Sequence, residues 1–186
     1  MTPLMSLWLP VVLSAVAVWL LSSVIHMAMP WHKNDYPGVP DEDGLMAAMR
    51  PFGLTPGEYM LPRPKSGADM KSPEYLAKLA KGPVAILTIR HGTWKMAQTM
   101  TTWFIFALLV AVIAACMTGA VMAPGVEHDH VIHYAGGITF LCYAMGAAPL
   151  SIWYNRKWST TFKNAFDSLI YGVATGLIFA AFWPQS

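Results

Sequence analysis

Four long apolar stretches divide the chain, running from Leu4 to Met29, Met96 to Ala123, Ile132 to Tyr154 and Phe162 to Trp183. Each is at least as long as the roughly 20 residues that cross a bilayer hydrocarbon core of about 30 Å. Backbone in lipid must satisfy its own N–H and C=O groups, and four crossings are too few to close a strand barrel, so the pattern predicts helices. The expected fold class is all-α: a membrane protein with transmembrane helices at 4–29, 96–123, 132–154 and 162–183. Polar segments at 30–95, 124–131 and 155–161 connect them.

Composition agrees, with 55% apolar residues, 12% charged residues and a positive mean hydropathy. A soluble domain of 186 residues could bury one such segment, but hardly four. The apolar start lacks a basic leader region and is far longer than a signal-peptide core, so it is expected to stay as a membrane helix. Pro10 near its outer end costs little if it falls within the first turns.

Charge sets the expected orientation. Lys33, Arg50, Arg63, Lys65, Lys71, Lys78, Lys81, Arg90 and Lys95 lie between the first two helices, and Arg156, Lys157 and Lys163 at the turn from the third into the fourth. Cytoplasmic connections carry the excess of Lys and Arg, which places both on the cytoplasmic side and gives an N-out, C-out topology. The segment 124–131 then lies outside.

The 30–95 segment holds nine of the fourteen prolines, which exclude a long helix. Its content of Trp31, Tyr36, Phe52, Tyr59, Leu61, Tyr75 and Ile86 is too apolar for a disordered linker. Asp41 or Asp43 is expected to cap a short helix through Met49. Ser72, Pro73 and Glu74 start a second, with Gly82 as its stop and Tyr75, Leu76 and Leu79 on one face. Pro83 to Arg90 reads as a short strand that would pair with Glu58 to Leu61. Two strands alone are marginal and need support from the membrane surface or a partner. The picture is a partly ordered, proline-rich cytoplasmic cap, with Trp31, Trp94, Trp153 and Trp158 near the interface.

Small residues mark candidate helix-packing faces: Ala115 and Gly119 in the second helix, Gly136, Gly137 and Gly146 in the third, and Gly172 and Gly176 in the fourth. Whether these faces meet within the bundle or against another subunit stays open at this point. Cys116 and Cys142 lie inside helices, without the paired spacing of a zinc or redox motif.

Candidate chemistry is sparse. His128, His130 and His133, with Glu127 and Asp129, have the residue types to hold a transition metal, but the same residues make a polar outer turn in which Asp129 caps the third helix. His26 is a candidate axial ligand for a haem or chlorophyll-type pigment. With Met27, Met29 and His32 around Pro30, it also forms a weak cuprous-copper pattern. Topology separates His26 and His133 by most of the bilayer. Asp167 is the only acidic residue within a predicted crossing, and the expected partner is Lys163, four residues earlier, in an interfacial ion pair. No phosphate-cradling loop, nucleophile elbow or nucleic-acid-like basic stripe is present.

The run Ser22-Ser23-Val24-Ile25-His26 leading into Pro30-Trp31-His32-Lys33-Asn34-Asp35-Tyr36-Pro37, with Pro40, Glu42 and Asp43, resembles a signature of small uncharacterised bacterial inner-membrane proteins. Ser151-Ile152-Trp153-Tyr154, Trp158-Ser159-Thr160-Thr161 and Asp167-Ser168-Leu169-Ile170-Tyr171 are similar too, so the resemblance spans most of the chain. It implies a bacterial membrane protein and carries no assigned activity or catalytic residue.

The expected function is therefore that of a non-catalytic accessory or scaffolding subunit of a larger bacterial membrane complex, photosynthetic or respiratory. Its partners are the bilayer and other integral membrane subunits, with no nucleic acid, soluble substrate or obligatory cofactor. Two alternatives stay open: a metal-, haem- or pigment-binding redox protein using His128, His130 and His133 or His26, and a small ion-coupled transporter using Asp167.

Overall fold

The computed structural model describes residues 1–93 and 95–185, so the interfacial expectation for Trp94 falls outside the described residues. In chain order the elements are α1 (Trp8–Met27), α2 (Glu42–Met49), β1 (Gly57–Leu61), α3 (Pro73–Lys81), β2 (Ala85–Ile89), α4 (Met96–Val121), α5 (His128–Ala144), α6 (Ala148–Tyr154) and α7 (Trp158–Ala181). They form two units, one of residues 1–36 with 95–186 and the other of residues 37–94.

In the first unit four helical rods are long and apolar enough to cross a membrane: Leu4–Met27, Met96–Val121, His128–Tyr154 and Trp158–Ala181. Pro10 falls in the opening turns of α1, where its missing N–H removes no intrahelical bond. The third rod begins at His128, four residues before the apolar run, so the polar residues 128–130 are helical. Glu127 is its N-cap residue without a side-chain cap bond, and Asp129, expected to be the cap, sits inside the first turn. A tight turn at Met145–Ala147 separates α5 from α6, with Pro149 in the opening turn of α6, where a missing N–H is tolerated. Asn155, in the left-handed conformation at φ 57°, ends α6. The fourth rod also starts four residues early, at Trp158.

The rods pack in a ring, α1 on α4, α4 on α5, α5 on α7 and α7 back on α1, and the α5–α7 contact is the most extensive. Glycine makes that contact. A Cβ on Gly136 would meet the Gly172 carbonyl oxygen at 2.8 Å, one on Gly172 would meet the Gly136 oxygen at 2.7 Å, and one on Gly176 would meet the Ile132 oxygen at 2.6 Å. These small residues therefore work within the bundle. Gly137 faces open space, contrary to its grouping with Gly136 as a packing position. Ala115 is fully buried in the core formed with Leu7, Val131 and Phe179. Gly119 is crossed by the N-terminal segment: the Thr2 N–H donates to its carbonyl at 2.7 Å, and a Cβ there would lie 2.6 Å from the Thr2 oxygen. A second core, at the other end, gathers Ala15, Val18, Ile25, Ala107 and Tyr171. Cys116 and Cys142 are free thiols on the outer surface of the bundle.

In the second unit the Asp41 carboxylate accepts from the Gly44 N–H at 2.9 Å and caps α2. Ser72 accepts from the Tyr75 N–H at 3.1 Å and caps α3, which has Pro73 at its first position and ends at Gly82 with φ 61°. β1 and β2 pair antiparallel, with Tyr59 opposite Leu87 and Leu61 opposite Ala85. Tyr59, Ala85, Leu87 and Ile89 are half-buried while their neighbours in the strands are exposed, as alternation in a two-stranded sheet requires.

Candidate functional site

The end of the bundle where α1 stops collects the titratable side chains that the sequence scatters. His26 lies in the last turn of α1 and its Nδ1–H donates to the Ser22 carbonyl at 3.1 Å, which leaves Nε2 as the lone-pair nitrogen. Pro30 then opens a single helical turn over Pro30–His32. That turn folds the chain back, so that the His32 ring stacks on His26 with centroids 4.5 Å apart and planes within 8°.

Both nitrogens of His32 face carboxylates. Nδ1 is 2.7 Å from Asp35 Oδ2, and Nε2 is 2.8 Å from Asp167 Oδ2 on α7. Asp35 in turn accepts at Oδ1 from Lys163 Nζ at 2.6 Å, and the same ammonium donates to the Trp31 carbonyl. The expected Lys163–Asp167 pair is thus replaced by Lys163–Asp35 and His32–Asp167. The physical reason is the returning 30–35 segment, which brings a carboxylate and an imidazole to groups that local helix spacing would otherwise pair with each other.

Burial is the largest single influence on Asp35 and would raise its carboxyl. The hydrogen bonds and charges of Lys163 and His32 together outweigh burial and hold it below the ordinary 3.8. These contacts join two carboxylates, one ammonium and one imidazole in a single network.

One oxygen is left over. Asp167, 2% exposed, has no hydrogen-bond partner for Oδ1, and the hydroxyls of Tyr143 and Tyr171 are likewise buried without one. All three residues line a cavity of about 240 Å³ that is also bordered by His26, Trp103 and Asn164. A second cavity of about 380 Å³ is bordered by His26, Met29 and His32. His26 borders both. Trp103, fixed by an Nε1–H bond to Ser22 Oγ at 2.7 Å, forms part of the first cavity's apolar wall.

Among the described residues, the ligand atoms of His26, His32 and Asp167 form the one group of three or more from His, Cys, Asp and Glu that lie within 4.8 Å of one another. The other sequence candidates are not gathered in this way. His133 Nδ1 is 2.7 Å from the Asp129 carbonyl, and His130 sits 3.9 Å from Glu127 on an exposed surface. The chain matches no protein-family model, curated protein or solved structure with which it was compared.

Three sequence candidates from different arguments, His26 and His32 from the copper pattern and Asp167 from its place within a crossing, therefore belong to a single site. Asp35, between His32 and Lys163, is a site residue that hydropathy and charge patterning do not mark. A legible signal existed in Pro30-Trp31-His32, which opens a turn and sets Asp35 three residues after His32, within reach of its ring.

Proposed function

We propose that this chain is a bacterial inner-membrane protein with N-out, C-out topology, and that it acts as an accessory subunit whose 37–94 unit docks on another integral membrane subunit. The observation behind this reading is that no residue from 37 to 93 is buried, although the segment has two capped helices and a paired strand ladder. Leu76, Ile86, Met60 and Phe52 are all exposed there. An ordered unit with its apolar side chains uncovered is the usual mark of a surface that closes against a partner.

Charge narrows the partner. The unit carries Arg50, Arg63, Lys65, Lys71, Lys78, Lys81 and Arg90 against Asp41, Glu42, Asp43, Glu58, Asp69 and Glu74. Such a near-neutral mixture suits a protein surface better than nucleic acid or an anionic lipid layer, both of which call for a single-sign patch. The His32–Asp35–Lys163 network supports the same reading, because it fastens residues 30–36 to α7 immediately before the second unit begins at Pro37.

Extraction from native membranes in mild detergent tests the proposal. A stoichiometric integral membrane companion is expected, retained by the parent protein and reduced at least about tenfold by Leu76→Glu with Ile86→Glu. A parent protein that purifies alone, or a companion unaffected by the paired substitution, rejects it.

A further inference from the structure

We propose that His26, His32 and Asp167 form a binding site for one divalent transition-metal ion of the zinc class. The inference is independent of the accessory reading. It rests on four features of the site.

The donor set is the first. Two imidazoles and one carboxylate within 4.8 Å of one another form the combination that holds zinc or ferrous iron with positions left open. A soft cuprous ion would call for thiolate or thioether donors instead.

The support behind the donors is the second. A ligating histidine ordinarily gives its other N–H to a carboxylate or a backbone carbonyl, which fixes the tautomer and turns the lone pair toward the metal. His32 Nδ1 is held by Asp35 at 2.7 Å, and His26 Nδ1 by the Ser22 carbonyl at 3.1 Å. Asp35 is itself fixed by Lys163.

The third feature is the orphaned Oδ1 of Asp167, a buried carboxylate oxygen with no protein donor. Leaving such an atom unsatisfied is costly, and coordination would satisfy it. Access is the fourth. His26 is exposed and borders both flanking cavities, so its ring can be reached from the surface, and the side of about 240 Å³ leaves room for an exogenous ligand facing Tyr143 and Tyr171. Without metal, the hydrogen bond between His32 Nε2 and Asp167 Oδ2 closes the space; the entering ion displaces that proton to solvent, engages both Asp167 oxygens and spreads Nε2 and Oδ2 apart.

The test uses the full chain in nanodiscs, stripped by a chelator and titrated with Zn²⁺ alone, with Co²⁺ as a second, visible probe. One ion per chain is expected, with cobalt d–d bands of four- or five-coordinate geometry. His26→Ala keeps the ion network and should fold; it is expected to weaken zinc binding by about 100-fold or more, and Asp35→Asn, which removes only the support of His32, by about 10- to 100-fold. Joint replacement of His128, His130 and His133 by Ala should leave the stoichiometry at one. No bound ion, an ion retained undiminished in His26→Ala, or an ion lost only in the triple variant overturns the assignment.

Discussion

His32 lies flat against His26 and reaches past it to Asp167, joining the end of α1 to the third turn of α7 across 135 positions of sequence. This contact turns a basic connection into an anchored one. It also makes the charges at this end of the bundle interdependent, so removing one should be felt by the rest.

Lys163→Met should be more harmful than a surface lysine change. It strips the ammonium from Asp35, whose side chain is 8% exposed, and leaves a carboxylate with only the imidazole to compensate it. The expected loss is on the order of 3 kcal/mol, with much of it restored when Asp35→Asn is added. Unfolding of the single and double variants in a mixed-micelle titration measures both.

Acid should release the same anchor. The Asp35 carboxyl is held below its ordinary 3.8, so its contribution is fully present above that value and disappears as pH falls through the lower folded value. Comparing stability between pH 6 and pH 2 for the parent and Asp35→Asn should show a steeper acid decline in the parent. Equal slopes would mean that Asp35 contributes nothing to the pH response.

Gly136→Ala and Gly172→Ala should each cost about 1–3 kcal/mol, since the added methyl would press on backbone of the facing helix rather than on a side chain that can rotate away. Gly137→Ala, one position along and facing open space, should be neutral or slightly stabilising through helix propensity. Thermal unfolding of the three variants in one detergent gives the comparison.

Topology can be read with single cysteines in a background lacking Cys116 and Cys142. Lys78→Cys and Lys157→Cys should react with an impermeant thiol reagent only when inverted vesicles expose the inner face, and Glu127→Cys only from the outer face. Labelling of Lys78→Cys and Lys157→Cys from opposite sides would remove the N-out, C-out arrangement and the depth argument built on it.

Much of the architecture was legible because it depends on local quantities. Length and apolarity marked the four rods, and Asp41, Ser72 with Pro73, and Gly82 marked the starts and the stop of the short helices, since a cap is a matter of a few adjacent residues. The α5 and α7 starts lie four residues before the apolar runs because polar side chains at a helix end lower hydropathy without breaking backbone hydrogen bonds. The expected ion pair at the site fails for a different reason. Lys163 and Asp167 are correctly spaced to pair on one helix, yet each has a better partner delivered by the returning 30–35 segment.

The residues alone determined that four long apolar helices form and which segments fold between them, because periodicity, capping and turn chemistry act over one or two turns. Only the tertiary structure decided that His26, His32 and Asp167 share a site, that Gly136 meets Gly172 while Gly137 meets nothing, and that Asp35 rather than Asp167 takes the lysine. Those outcomes depend on how helices are rotated about their axes and where a turn returns the chain, and both are fixed by packing among residues far apart in sequence, from Gly136 with Gly172 to His32 with Asp167.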